Sequence, residues 1–400
     1  MSALYLYDDA QARTFAPFAL TRPVGEMRAG AELLRVRWEH ALGRSAAGSI
    51  AAPHLADFEE AGAPPVASGT LAAGSIIANA RCAVALARSA PTADLWRCGG
   101  RVAAVTLARE TPVSAFAGGE RALESLAPPK PREAEVEGRW LDEVWSFIVD
   151  LLPQLAEDVA ALGPSFECVT PHDVIVLGQG DVFLERGATI EPMACIDVSA
   201  GPVLVRKGAT VRAFSRLVGP CVVGPQSSIL GDRVAGCSIG EGCIVRGEMS
   251  ETIVLGQANK AHDGFVGHSY LGRWVNLGAG TITSNLKNTY GTVTLWTPTG
   301  PRDTGVLKLG SLLGDHVKTG IGLRLTTGTV VGAGSNIYGS TMPPKFVPPF
   351  SWGEAPALER YRLDRFLATT DRAMRRRGLS LGERACRQLG AAHAASEGAR

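Results

Sequence analysis

The chain has 400 residues, a formal net charge of +1 and 20% charged residues. This length suits two or three structural units with buried cores. The charge balance argues against intrinsic disorder and against a surface built mainly to bind nucleic acid. The chain does not open with a segment that combines basic residues, an apolar run and a small-residue cleavage site, and no apolar stretch reaches membrane-spanning length. We therefore expect a cytoplasmic protein without a membrane span.

Residues 1–164 are predicted to form an α/β domain. The apolar run from Leu4 to Tyr7 predicts a strand that ends at Asp8 and Asp9. Two carboxylates at the carboxyl end of a strand suit a ligand or a Mg²⁺ ion, although a turn with solvated charges fits equally well. Apolar spacing predicts a helix over residues 34–42, and the segments SIIANA and RVAAVTLA predict strands.

The first domain is predicted to end with an amphipathic helix over Trp140 to Leu162 that Pro153 kinks or divides. We place the domain boundary near Ser165, directly after this helix. The eight cysteines form no CxxC pair, and Cys221 and Cys243 occupy small-residue positions of the repeat described next. We therefore interpret these two as buried small side chains, not as metal ligands or disulfides.

Residues 165–345 contain a six-residue repeat. Aliphatic residues return at six-residue intervals in three runs that share one phase: Val205, Val211, Leu217, Val223 and Ile229; Leu271, Leu277 and Ile282-Thr283; and Leu313, Leu325, Val331 and Ile337. Helices and ordinary strands have periods of 3.6 and 2, so neither explains this spacing. Glycines next to the aliphatic positions supply tight turns. The pattern is the hexapeptide signal of a parallel β-helix.

Residues 346–400 are predicted to form a helical tail. Ser351 and Glu354 predict a capping box ahead of a C-terminal helix, and the last dozen residues are expected to fray. Four arginines lie in and after this helix: Arg372, Arg375, Arg376 and Arg377. They suit either a phosphate or nucleic-acid contact or, more commonly, a cationic helix end that complements the dipole.

The segment from Asn259 to Asn285, NKAHDGFVGHSYLGRWVNLGAGTITSN, carries the most specific motif. It resembles the acetyltransferase half of the GlmU-like family, bifunctional N-acetylglucosamine-1-phosphate uridylyltransferases and glucosamine-1-phosphate acetyltransferases. That family has KAxH followed by YLGxxxIGxxVNIGAGTITxN, and here His262 precedes Asn276 by the family's fourteen positions. The resemblance implies a left-handed β-helix, a homotrimer, and acetyl-CoA bound between neighbouring coils.

The resemblance also implies residue roles. His262 would be the general base that deprotonates an attacking amine, which suits an imidazole at neutral pH. The residues that would contact acceptor or acyl-CoA are Asn276, Asn285, Gly278, Ala279, Gly280 and Glu248. From the residues alone, a single histidine in a turn is more often structural, and His268 is a weaker candidate.

Three departures from the family pattern leave the acceptor sugar open. Phe265 replaces a tyrosine, Ser250 replaces a lysine that holds the sugar phosphate, and Leu286 falls within the family's NYDG. The segment 288–306 lengthens a loop beside the predicted site. The acceptor is expected to be an amino sugar phosphate or a nucleotide-linked amino sugar.

The stretch PFALTRPVGEMRAG resembles the one that follows the glycine loop of sugar-1-phosphate nucleotidyltransferases. The GxGTR loop itself is missing, Val24 replaces a lysine, and Asn79 stands where a metal-binding aspartate is expected. The whole chain is similar to a bacterial branch of sugar nucleotidyltransferases with a shortened N-terminal domain. Candidate nucleotide or phosphate ligands are Asp8, Asp9, Arg13, Thr21, Arg22 and Arg28. The alternative is that these arginines pair with carboxylates inside the domain.

The leading hypothesis is a sugar-nucleotide pathway transferase. Its β-helix would transfer an acetyl group from acetyl-CoA to the acceptor, and its N-terminal domain would be a degenerate nucleotidyltransferase domain. The first alternative is an active, Mg²⁺-dependent nucleotidyltransferase that makes a UDP- or dTDP-sugar. The second is a trimeric binding or regulatory scaffold without catalysis.

Overall fold

A computed structural model describes residues 2–168 and 173–398. Its N-terminal part is built on a six-stranded mixed sheet. The strands lie in the order Glu133–Glu135, Leu95–Cys98, Arg101–Thr106, Ile76–Asn79, Leu4–Tyr7 and Ala46–Ile50. Leu4–Tyr7 is parallel to both of its neighbours, whereas Arg101–Thr106 is antiparallel to Ile76–Asn79. Three short ladders pair Thr70–Leu71 with Thr111–Pro112, Cys82–Val84 with Gly138–Trp140, and Arg28–Ala29 with Glu32–Leu33.

Three α-helices belong to this part: α1 (Leu34–Leu42), α2 (Ser146–Val149) and α3 (Leu151–Leu162). The helix predicted over Trp140 to Leu162 is therefore wrong at its start, because Gly138–Trp140 pairs as a strand. The expected division is present at Asp150, and Pro153 lies in the first turn of α3, where its missing N–H breaks no hydrogen bond. Short 3₁₀-helices span Ala12–Thr14, Val24–Glu26, Pro53–Leu55, Val113–Phe116, Leu123–Leu126, Gly163–Ser165 and Ser396–Gly398.

The repeat region forms a parallel β-helix with three faces, named in chain order within a coil. The first face contains Ile175–Leu177, Cys195–Asp197, Ser215–Val218, Asp232–Ala235, Glu248–Ser250 and Phe265–Gly267, and a separate ladder pairs Ile282–Thr283 with Arg324–Leu325. The second face contains Glu167–Cys168, Val182–Leu184, Val203–Val205, Cys221–Val223, Ser238–Glu241, Ile253–Gly256, Tyr270–Leu271, Leu312–Leu313, Val330–Val331 and Phe346–Val347. The third face contains Thr189–Ile190, Thr210–Val211, Ser228–Ile229, Ile244–Val245, Asn259–Lys260, Asn276–Leu277, Lys318–Thr319, Asn336–Ile337, Ser351–Gly353 and Glu359–Arg360.

The aliphatic positions of the repeat point into the coil. Val205, Val211, Leu217, Val223 and Ile229 have no exposed surface, and Cys221 and Cys243 are equally buried. Each coil thus stacks its apolar row on the next, which is how a hexapeptide repeat obtains a continuous core. The predicted architecture, an α/β domain followed by a parallel β-helix and C-terminal helical structure, is confirmed.

The inserted segment after Asn285 forms a β-hairpin, Thr294–Thr297 and Gly300–Asp303. It leaves the β-helix and contacts the N-terminal part, where Arg302 pairs with Glu143 at 2.6 Å. Trp296 stacks on Phe346 with the ring planes 6° apart. The hairpin therefore connects the two parts of the chain.

Two helices follow the β-helix, α4 (Leu363–Arg375) and α5 (Glu383–Ala395). The predicted capping box is wrong, because Ser351 belongs to a strand and the Glu354 carboxylate accepts hydrogen bonds from Ser340 N–H and Thr341 N–H. The expected fraying is also wrong for the described residues up to 398, since α5 buries Leu389 and Ala392. Among the helices that the structure describes, none has the length and apolar character to cross a bilayer.

Candidate active site

His262 lies on the corner between the third and first faces, after Asn259–Lys260 and before Phe265–Gly267. Its side chain is exposed and has no hydrogen-bond or ion-pair partner among residues 2–168 and 173–398. Its main chain is fixed, because the Lys260 ammonium donates to the carbonyl groups of His262 and Arg246. Burial lowers the pKa of Lys260 to about 8. An anchored loop thus presents a free imidazole to solvent.

The loop of His262 contacts the Gly278–Gly280 segment of the next coil. The Gly280 N–H donates to the Asp263 carbonyl at 3.0 Å. Gly264 has a φ of +128°, and a Cβ there would collide with the Thr281 carbonyl oxygen. Only glycine meets both conditions, so this turn holds the predicted base beside the glycines that are predicted to contact the acceptor or acyl-CoA.

Asn276 lies directly above Asn259 on the third face, and the two amides share a hydrogen bond of 3.0 Å. Asn259 and His262 are three residues apart, so their Cα atoms are at most about 11 Å from each other. The Asn276 side chain lines a cavity under α4. The structure therefore brings Asn276 near the His262 corner, but the Asn276 side chain faces this separate cavity.

Glu248 and Phe265 face each other in register on the first face. The Glu248 carboxylate is 3.6 Å from Arg233, and the same guanidinium donates to the Ser250 hydroxyl at 3.3 Å. Arg233 thus supplies a cation at the position where serine replaces the family's lysine. Arg233 was not predicted from the sequence, because it lies one coil away from Ser250.

Asn285 lies at the opposite corner, between the first and second faces. Its amide nitrogen is 2.9 Å from His268 Nδ1, and His268 Nε2 is 3.3 Å from the Glu251 carboxylate. Burial is the main cause that lowers the pKa of His268, and Glu251 opposes it. The structure does not bring Asn285 to His262 within one chain. His268 and Glu251 are the partners that the sequence analysis missed.

Asp8 and Asp9 point in different directions. Asp8 is buried and accepts a hydrogen bond from Val24 N–H at 3.0 Å, and burial raises its pKa to about 7. Asp9 accepts hydrogen bonds of 2.8 Å from Arg81, Asn79 and Ala12 N–H. Burial alone would raise the pKa of Asp9, but Arg81 outweighs it and the pKa is lowered.

These contacts do not suit the predicted Mg²⁺ ion. Both Asp9 oxygens are already engaged by protein donors, and the Asp8 carboxylate is turned toward Val24. In the ranges 2–168 and 173–398 no three His, Cys, Asp or Glu side chains cluster as metal ligands. We derive no step through a metal ion.

Asp9 and Asn79 instead line a cleft of about 470 Å³ in the N-terminal part. The cleft lies outside the carboxyl ends of the parallel strands Leu4–Tyr7 and Ile76–Asn79, where open α/β sheets bind ligands. Four arginines that the sequence analysis did not single out also line it: Arg81, Arg97, Arg101 and Arg121. These four arginines are separated in the sequence, so no local pattern indicates that they line one cleft.

The other predicted phosphate ligands have protein partners. Arg13 donates to the carbonyls of Asp8, Phe116 and Ala117. The hydroxyl of Thr21 and the guanidinium of Arg22 each donate to Asp315 of the β-helix at 2.8 Å. Arg28 donates to the Ala31 carbonyl. These contacts fit the alternative in which the arginines have partners inside the protein. For Arg22 one partner is Asp315 of the β-helix, where a carboxylate of the N-terminal domain was expected.

Comparisons with known proteins agree with these two parts. Residues 4–164 match the family model described as sugar nucleotidyl transferase. The chain is 31% identical over 177 residues to the bifunctional protein GlmU of Acaryochloris marina, covering 42% of this chain and 34% of that protein. It is 33% identical over 91 residues to the bifunctional sugar-1-phosphate nucleotidylyltransferase/acetyltransferase of Sulfurisphaera tokodaii, covering 23% of each.

A solved structure of Arabidopsis UDP-N-acetylglucosamine acyltransferase is 13% identical, with a TM-score of 0.31, and covers 53% of this chain and 78% of that one. The alignments span about a third or less of the length of the two curated relatives. The partial matches agree with the family resemblance seen in the sequence: residues 4–164 match the sugar nucleotidyl transferase family model, and part of the chain is similar to GlmU proteins.

Proposed function

We propose that the chain is a transferase that moves an acyl group from acetyl-CoA to the amino group of a sugar phosphate or nucleotide-linked amino sugar. The observation that supports this most is the free imidazole of His262 on an anchored loop against Gly280. An imidazole without a hydrogen-bond partner is able to take a proton from a bound amine. The glycines beside it leave room for an extended thioester ligand.

The chemistry needs one proton relay. The amine nitrogen attacks the thioester carbonyl, a C–N bond forms and the C–S bond breaks. The proton lost by the amine passes to the His262 imidazole and from there to the departing thiolate. Arg233, beside Ser250, is the proposed anchor for the acceptor's phosphate group.

The proposed assembly is a homotrimer with the His262 corner at the subunit interface. Large apolar side chains on or beside this corner in other coils are exposed: Met193 at 62%, Phe214 at 72% and Ile321 at 79%. Such side chains along one edge are typical of a covered surface. In a trimer, Asn285 of one subunit would be available to His262 of another, which is consistent with their separation in a single chain.

The test is thiol release from acetyl-CoA against a panel of amino sugar phosphates and nucleotide-linked amino sugars. We expect His262→Ala to lower the rate by about 10²–10⁴-fold, the usual cost of removing a general base. His40→Ala is the matched control, because His40 is an exposed histidine in α1. Equal rates for His262→Ala and wild type would refute the mechanism, and absence of turnover would favour the non-catalytic scaffold.

A second candidate function is nucleotidyl transfer in the N-terminal cleft. It is supported by the family model over residues 4–164 and by the arginines that line the cleft. Pyrophosphate release from a nucleoside triphosphate and a sugar-1-phosphate would identify it, with Arg101→Ala as the impaired variant. If no pair of nucleotide and sugar releases pyrophosphate, the domain is not a nucleotidyltransferase.

A further inference from the structure

A second cavity of the β-helix lies between α4 and the outer surface of the third face. It has a volume of about 470 Å³, and Lys318, Arg372, Arg376, Arg377, Trp274 and Asn276 line it. Helix α4 is a fixed wall, because Phe366 packs edge-on against His316 at 5.9 Å and Phe350 at 5.1 Å. The cavity is therefore a built feature of the fold.

The charge of this cavity is strongly one-sided. Among residues 2–168 and 173–398, four of the side chains that line it are cationic and none is a carboxylate. Lys318 and Arg376 have no side-chain hydrogen-bond or ion-pair partner in the part of the chain that the structure describes, and Arg372 reaches only the Thr369 hydroxyl at 3.2 Å. Other arginines of this region are neutralised, for example Arg375 by Asp371 at 2.7 Å. Cations that converge without counter-ions repel one another, and an anion bound between them relieves that repulsion.

Lys318 is the cation on the β-helix wall of the cavity. Its side chain is partly buried on the cavity wall, and desolvation lowers its pKa to about 8. A desolvated ammonium gains most from an anionic ligand, because both charges then interact in a medium of low dielectric constant. Arg377 already donates to the Gly242 and Ala258 carbonyls. Together with Arg372 and Arg376, Lys318 can contact more than one phosphate group.

The remaining lining residues suit a nucleoside. Trp274 is half-buried and contributes an aromatic surface. The amides of Gln257, Asn259 and Asn276 add donors and acceptors for base or sugar hydroxyl groups. The volume fits one small ligand, which is typical of a nucleotide pocket.

We propose that this cavity binds a nucleotide-type ligand with a diphosphate group, held by Lys318, Arg372 and Arg376. Both a nucleoside-diphosphate sugar and coenzyme A contain a diphosphate joined to a nucleoside. The proposal deepens the proposed acyl transfer, on which the choice of these two ligands rests. Its test is separate, because it measures binding and does not require His262 to act as a base.

Isothermal titration calorimetry on the full chain tests the proposal with UDP, CoA, uridine and adenosine. We expect at least one of UDP and CoA to bind and neither nucleoside to bind comparably. Tighter binding of UDP assigns the cavity to the sugar nucleotide, and tighter binding of CoA to the acyl carrier. We expect Arg376→Ala and Lys318→Met each to weaken this binding by about tenfold or more.

Arg375→Ala is the matched control, since Arg375 lies on the same helix, is 69% exposed and does not line the cavity. It should leave the dissociation constant unchanged. Arg376 is exposed, so its replacement should not affect folding. The proposal is overturned if neither UDP nor CoA binds, or if both bind the Lys318→Met and Arg376→Ala variants as tightly as wild type.

Discussion

The phenol of Tyr270, on the β-helix, accepts a hydrogen bond from Arg28 N–H at 2.7 Å and donates one to the Arg28 carbonyl at 3.1 Å. One side chain thus satisfies both backbone groups of a residue in the N-terminal part. Tyr270 has no exposed surface and packs against Phe18 and Phe147. The contact therefore joins the two parts of the chain through a buried polar group.

Tyr270→Phe should destabilise the protein by about 1–3 kcal/mol, because it leaves the Arg28 N–H and carbonyl buried without partners. Urea denaturation measures the change in the free energy of unfolding. Tyr290→Phe is the control, since Tyr290 is 73% exposed. Equal losses for both variants would mean that the Tyr270 hydroxyl contributes nothing to the contact.

Asp315→Ala should cost about 3–5 kcal/mol, because it removes one of the two carboxylates that neutralise the buried Arg22. The Thr21 hydroxyl loses its partner as well. Asp364→Ala breaks an exposed pair with Arg362 and should cost no more than about 1 kcal/mol. Thermal and urea unfolding compare the two variants, and similar stabilities would contradict the role assigned to Asp315.

Acid should weaken the protein partly through His316, which stacks with Trp274. Burial, and then Lys318, lowers the pKa of His316 to about 3. The ordinary value is near 6.5, so the neutral imidazole stabilises the folded state above that pH, and this contribution is lost as the pH falls toward 3. We expect His316→Phe to reduce the acid dependence of the unfolding free energy by about 1.4 kcal/mol per pH unit in this window.

Urea titrations at several pH values between about 7 and 4 measure that slope. His40→Phe, at an exposed histidine, is the control and should keep the wild-type slope. If wild type and His316→Phe lose stability in parallel as the pH falls, His316 is not the titrating group.

Gly264→Ala should slow acyl transfer without changing any predicted reacting group. The new Cβ would meet the Thr281 carbonyl at a φ of +128°, and the loop of His262 would move away from Gly280. Gly291→Ala is the control, because nothing lies closer than 3.9 Å to its added Cβ. Thiol release by both variants, with melting temperatures alongside, would show whether the rate depends on the position of the His262 loop.

The sequence by itself determined the β-helix, because a six-residue period has one structural explanation and every aliphatic position in its phase is buried. It also located the His262 corner, since a KAxH motif and a glycine-rich coil are local features. The family resemblance of both parts could be recognised in the same way.

Only the tertiary structure decided which charged groups meet. Arg22 and Asp315 are 293 residues apart, and Lys318 meets the arginines of α4 across the third face. Two contacting residues that are far apart in the chain leave no periodic or local signal of their contact in the sequence. Thr21 and Arg22 were therefore predicted as phosphate ligands, although they bind Asp315. The capping box failed for the same reason, because stacking on the previous coil drew Ser351 into a strand.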